Sequence, residues 1–313
     1  MRKLTLLVPP VLFSLAAGCA AGQAAWPEHP VAPDAAYLSA LQARRAQRLA
    51  ELTSEEGWLA LHGLFWLEGT AAGAPIPVGA AEDCPVRLPA RAPARVGELL
   101  VQDGAARLRL APGLAATLNG AAAGGELALR ADADEGGPDR LRLDGLCLIV
   151  IRRGTRLAAR VWDAQAEARR LFAGIEHFPV DLRYRVEGRL EPYPSPRRLR
   201  MPTARGPEQE AEAPGVVRFE LGGQALSLVP LTAPGSRELF FVFGDETNGR
   251  ESYGGGRFLD ATLAPDGRVL LDFNRAESPP CAFTPYATCP IPRPENRLPV
   301  RIEAGELRAH GRP

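Results

Sequence analysis

Leu141–Ile151 reads LRLDGLCLIVI, and the fold of the chain turns on it. The first three residues alternate apolar and charged, the period of a half-buried strand. Asp144-Gly145 follows, a pair whose members both tolerate positive φ and so favour a two-residue hairpin. Leu146–Ile151 is apolar on both faces, as a fully buried strand is. The same turn signal recurs upstream at Asp103-Gly104 and Asn119-Gly120, the first just ahead of the alternating ARLRL of Ala106–Leu110. Short strands at this spacing predict a small β-sandwich over residues 70–165. Cys84 and Cys147 lie in it, the latter as a small buried hydrophobe.

In outline this sandwich resembles a forkhead-associated module. The serine-and-histidine loop pattern with which such modules read phosphothreonine is missing, so the resemblance implies shape alone. Ahead of it, Asp34 is placed as an N-cap and Ala35–Glu56 has helical spacing. Leu38, Leu41, Leu49 and Leu52 fall toward one face, with Arg44, Arg45 and Arg48 on the solvated side. Gly57–Gly69 (GWLALHGLFWLEG) reads as a strand, Trp58, His62 and Trp66 on one face and Leu59, Leu61, Phe65 and Leu67 on the other. Helix and strand together occupy residues 34–69. Beyond the sandwich, residues 162–185 read as a bridge and the proline-rich 192–214 as an exposed connection. Strand signals then return. VVRFEL and QALSLVPL flank Gly222-Gly223, and Asp266-Gly267 turns FLDATL into VLLDF. The expected class is mainly β: two β-rich domains, the sandwich and an antiparallel domain over 166–313, with a helix near the N-terminus.

The 313 residues carry 37 basic and 37 acidic side chains, and 46% are apolar. That supplies two cores but not the basic excess that nucleic-acid binding needs. Lys3 is the only lysine, which removes Schiff-base lysines, pyridoxal-phosphate attachment and the phosphate-loop lysine from a mature chain that starts beyond it. Arg2 and Lys3 precede an apolar run, Leu4 to Leu15, too short to span a bilayer. It ends in Leu15-Ala16-Ala17-Gly18-Cys19, so residues 1–18 read as a signal peptide. The ending resembles the bacterial lipoprotein cleavage box, which implies lipidation of Cys19 and a membrane partner through that anchor. Ala20, where sorted lipoproteins kept at the inner membrane carry aspartate, implies the outer membrane facing the periplasm. Without lipid the product is secreted or periplasmic. Residues 19–33, rich in Ala, Gly and Pro, read as a tether.

The densest set of polar residues follows Phe243. Asp245, Thr247, Tyr253 and Arg257 flank Gly254-Gly255-Gly256. Asp272 and Asn274 stand two apart on a predicted strand and so share a face. Tyr286 sits in the proline-rich loop, and Asn296, Arg297 and Glu303 come after it. Asp245, Arg257, Asp272, Asn274 and Glu303 form the candidate catalytic set; Thr247, Tyr253, Tyr286, Asn296 and Arg297 are candidate binding residues. In the open they would line a pocket for an anionic or polyhydroxyl ligand, or for an oxygen-ligated metal. Buried, they would be a hydrogen-bond network that fixes the loop. For Cys281 and Cys289 the plain reading in an oxidising compartment is a disulfide. Buried thiols and reactive thiolate chemistry are the alternatives, and zinc would lack two ligands. The sequence holds no nucleophile elbow, zinc-protease helix or dinucleotide loop; it names no cofactor and assigns no metal.

Asp272–Glu306 (DFNRAESPPCAFTPYATCPIPRPENRLPVRIEAGE), together with Phe243–Leu259 (FGDETNGRESYGGGRFL) and Gly57–Gly69, resembles the bacterial family called domain of unknown function 1684. The resemblance runs from the first helix to Glu306. It departs at Glu277-Ser278, where the family usually has a tyrosine and an asparagine, so no role of those two side chains transfers. The family name implies no activity. The leading expectation is a cell-envelope lipoprotein that binds a small polar ligand or an envelope protein. The alternative is a hydrolase-type enzyme with one of the clustered carboxylates as general base, with or without a divalent metal.

Overall fold

The computed structural model describes residues 27, 29–67 and 74–309. The signal peptide, Cys19 and most of the tether lie outside them. The protein is mainly β, with several sheets and one long helix near the N-terminus. Among the described residues no helix is long and apolar enough to cross a membrane.

Two sheets share the first core. One runs in the order Leu61–Trp66, Arg156–Asp163, Leu146–Arg153, Leu141–Leu143, Ala116–Leu118, Ala121–Ala123. The other runs Val86–Arg87, Ile76–Gly79, Gly97–Gln102, Ala105–Leu110, Glu126–Leu129. The chain reverses at the three dipeptides, with both φ angles positive in each: 51° and 73° at Asp103-Gly104, 51° and 87° at Asn119-Gly120, 45° and 71° at Asp144-Gly145. Ile76, Val78, Leu99 and Leu108 of one sheet meet Leu148, Val150, Ala159 and Val161 of the other. Because side chains alternate along a strand, Ala158, Arg160 and Trp162 take the opposite face of the first sheet. There Cys147, Ile149, Ile151, Ala158 and Trp162 form a smaller cluster.

In the second half a four-stranded sheet has the order Gln224–Leu228, Gln209–Leu221, Arg185–Met201, Arg268–Asp272. It shares with the pair Glu238–Phe243 and Arg257–Thr262 a core that includes Phe219, Phe241, Phe243, Leu271 and Phe273. Three expectations are corrected here. Residues 192–214 are largely exposed but are not a connection: they form the outer part of a long hairpin. Its ladder breaks only between Pro192 and Arg197, where prolines without an N–H interrupt pairing. The Asp266-Gly267 turn gives one bridge, Leu263 to Val269, after which the strands part. Arg268–Asp272 pairs with Arg185–Arg189, and Arg257–Thr262 pairs with Glu238–Phe243. Gly57–Gly69 is not one strand either: Trp58–Ala60 is a 3-10 turn, and the register shifts between Leu61 and Gly63.

The helix, Ala35–Thr53, starts where Asp34 accepts the Tyr37 N–H at 2.7 Å. Leu41 and Leu52 are buried while Leu49 is exposed. Arg45 and Arg48 lie between them at three- to four-residue spacing, so the packed stripe runs through arginines. They are not the solvated side. Arg44 Nη2 lies 2.9 Å from Glu277, Arg48 Nε lies 3.2 Å from Glu306 and 3.4 Å from Glu277, and Arg48 Nη2 donates to the Ser278 carbonyl at 2.8 Å. The helix is seated on the Asp272–Glu306 segment by ion pairs as much as by leucines.

Candidate functional site

The sequence-predicted polar residues fall into separate groups. Asp245 and Arg257 pair at 2.7 Å with both side chains fully buried. Arg257 also donates to the Ile302 carbonyl at 2.8 Å and to that of Ala304. Asp245 Oδ1 accepts from the N–H of Thr247 at 2.9 Å and from its hydroxyl at 2.6 Å. Thr247 in turn meets the Ser252 hydroxyl at 2.7 Å. Here a charged pair closes a glycine-rich loop on itself and holds the last segment's backbone, so neither group faces an open site.

Asp272 and Asn274 do meet, at 3.3 Å, but not as two positions of a strand. Asp272 ends its strand and Asn274 lies in the 3-10 turn Phe273–Arg275. Asp272 accepts the Tyr37 hydroxyl at 2.9 Å and pairs with Arg275 at 3.2 Å. Asn274 bonds both backbone groups of Asp181, at 3.1 and 2.9 Å. Arg257 is not their partner; it belongs to Asp245. Glu303 is exposed and paired with Arg301 at 3.0 Å. Buried Asn296 bonds the backbone of Val229 and Val242 at 2.8–3.0 Å, whereas Arg297 is exposed. Tyr253 donates to the Cys281 carbonyl at 3.1 Å, and Tyr286 lies on the surface.

No disulfide joins Cys281 to Cys289 among the described residues. The two are neighbours all the same, since the Cys281 N–H donates to Cys289 Sγ at 3.2 Å. Contact with Cys281, and then burial, hold the Cys289 thiol well above the ordinary thiol range. No three His, Cys, Asp or Glu side chains lie together as metal ligands among the described residues.

A separate cavity lies elsewhere. A groove of about 800 Å³ runs between the two halves. Arg152, Arg153 and Arg160 come from the outer face and end of the first sheet. Phe258, Pro280, Thr288, Cys289 and Pro290 come from the second half, and Trp58 lies between. Arg160 is 8% exposed; among the described residues its buried Nε has no acceptor and no ion pair is made to it, and Asp132 acts on its charge only from farther off. Its guanidinium sits 5.3 Å from the Trp58 ring and 5.9 Å from that of Trp162. Burial first, then repulsion from Arg153, pull its pKa down to about 10, so it stays charged at neutral pH. The other two arginines are engaged: Arg152 with the Gly104 carbonyl at 3.2 Å and Asp134 at 3.3 Å, Arg153 with Asp132 at 2.8 Å. An unpaired buried charge normally costs several kcal/mol, offset here only in part by the two rings.

The sequence reading missed this groove. Its one signal is Arg160 itself, a charge set in RLAARVWD between Ala159 and Val161, on the face that also carries Trp162. The polar cluster is scaffold, and the apolar strand carries the open charge.

A family model described as "Protein of unknown function (DUF1684)" matches residues 170–307, and the chain belongs to that family. The match is narrower than the resemblance read from sequence: the first helix and Gly57–Gly69 stand outside it. The solution NMR structure of an uncharacterized protein of Haloarcula marismortui is 33% identical, over 44% of this chain and 78% of that one, with a TM-score of 0.39. No curated protein matches the chain.

Proposed function

We propose that this family member is a cell-envelope protein that binds a small anionic ligand in the groove between its halves, with Arg160 as the anchor. The observation that carries the reading is a nine-tenths buried arginine whose Nε has no acceptor among the described residues, lining a cavity of ligand size. Chains rarely retain such a charge for stability, because apolar side chains of similar volume usually serve better. The lipoprotein layout of residues 1–19 supports an outer-membrane anchor through Cys19. In that oxidising compartment Cys281 and Cys289, already in contact, bond to one another beside the groove. The hydrolase alternative needs Asp245, Asp272 or Glu303 as general base; the first two are occupied by donors that hold the fold, and Glu303 lies exposed in a pair with Arg301.

Replacing Arg160 with Met tests the anchor. Without ligand, Arg160→Met melts level with or above the wild type, because it deletes an uncompensated charge. Acetate, phosphate and citrate then lose the thermal shift they give the wild type. A variant that melts several degrees lower, in a protein whose wild type shows no shift with any anion, would make Arg160 a structural residue and sink the reading.

A further inference from the structure

The groove has two chemically different walls, and the charges on one of them can be counted. Arg152 and Arg153 are matched by Asp134 and Asp132. That leaves Arg160, among the described residues lining the cavity, as the cation without an ion pair of its own. At the rim stand Glu208 and Glu210, exposed and without a basic partner among the described residues. One free positive charge inside and two negative charges at the mouth select against dianions and polyanions, whose second charge would find repulsion instead of a partner.

The opposite wall carries an apolar strip beside Gln209, Thr288 and Cys289. Phe258, Pro280 and Pro290 face the groove partly exposed, and Trp58 lies over the guanidinium. The cavity of about 800 Å³ is far larger than an inorganic anion fills and lies in the range of whole small-molecule sites. The rings of Trp58 and Trp162 restrict how the Arg160 plane turns. A planar guanidinium held this way suits a planar two-oxygen acceptor.

Resting on the anion-binding reading above, we infer that the ligand is an amphipathic monocarboxylate, its carboxylate on Arg160 and its aliphatic or aromatic body along Phe258, Pro280 and Pro290. The experiment compares decanoate, its methyl ester, acetate and inorganic phosphate by calorimetric titration of the folded protein, below the concentration at which decanoate forms micelles. Decanoate is expected to bind about tenfold or more tighter than acetate, through the apolar wall. It is expected to exceed its ester by a similar factor, through Arg160. Arg160→Met should abolish the difference between acid and ester. Phosphate binding tighter than decanoate, in an Arg160-dependent way, would overturn this inference and leave the anion reading standing. Equal binding of decanoate and its ester to the wild type would reduce the effect to apolar adsorption and also overturn it, whether or not the variant folds. Failure of every anion to bind would remove both.

Discussion

Asp245→Ala is the substitution on which the scaffold assignment stands or falls. The carboxylate it removes accepts from Arg257 at 2.7 Å, from the Thr247 N–H at 2.9 Å and from the Thr247 hydroxyl at 2.6 Å, and no solvent reaches either charged side chain. Arg257 keeps only the carbonyls of Ile302 and Ala304. Its charge is then buried beside neutral dipoles, a situation worth about 3–5 kcal/mol of lost stability. The Thr247 hydroxyl still has Ser252 at 2.7 Å, so most of the loss lies in the stranded guanidinium. At about 2–4 °C per kcal/mol for units of this size, the melting temperature falls by about 6–20 °C. Arg257→Met in the same background removes the stranded charge. The double variant should therefore be markedly more stable than the two single losses added together, which a double-mutant cycle in urea reads directly. An Asp245→Ala protein that melts within about 2 °C of the wild type, yet loses its response to ligand, would refute the argument and restore Asp245 as a working carboxylate.

Two further outcomes are expected. His177, half-buried, has its pKa lowered to about 4 by burial and then by Arg45. As pH falls, the unfolded chain takes up this proton near 6.5 and the folded chain only near 4, so His177 removes stability through that window and no further below it. Melts of His177→Gln and wild type across that range should diverge with acidification; parallel curves would show the histidine to be solvated. For the cysteines, alkylation of protein isolated from an oxidising compartment should label Cys281 and Cys289 only after reduction. Cys147, whose thiol burial pushes up to about 12, should react only on unfolding. Labelling of Cys289 in the native, unreduced protein would exclude the bond.

What the sequence made legible follows from what short-range patterns encode. The positive φ that Asp-Gly and Asn-Gly favour is a local property, and the three hairpins of the first half sit where those pairs stand. The helix start at Asp34 is equally local. Misreadings arose where distant chain decided. Asp266-Gly267 does turn, but the strand after it is taken by Arg185–Arg189, more than 70 residues away in sequence, by the register of Arg185 with Asp272. An apolar stripe is blind to arginines, so the sequence alone puts those of the helix on the solvated side. Glu277 and Glu306, which draw them in, belong to another segment. The polar cluster between Asp245 and Glu303 was visible as composition, yet composition does not say whether a carboxylate already has its donor.

That last distinction separates the buried arginines from one another. Arg257 has a carboxylate and two carbonyls; Arg48 has Glu277, Glu306 and the Ser278 carbonyl. Both are latches whose charge is spent within the fold. Arg45 also lacks acceptors at Nε and Nη2, but it is only half-buried and borders a space of about 10 Å³, which admits one water at most. Arg160 is nine-tenths buried, makes no hydrogen bond or ion pair among the described residues, and borders about 800 Å³. Were a buried arginine simply this chain's habit, in a composition with Lys3 as its single lysine, Arg160 would be expected to carry a partner as Arg257 and Arg48 do. Asp132, a carboxylate whose charge acts on Arg160, is instead committed to Arg153 and to the Arg152 N–H. The free charge is therefore specific to the position that faces the groove, and an anion from outside the chain is the partner its surroundings leave room for.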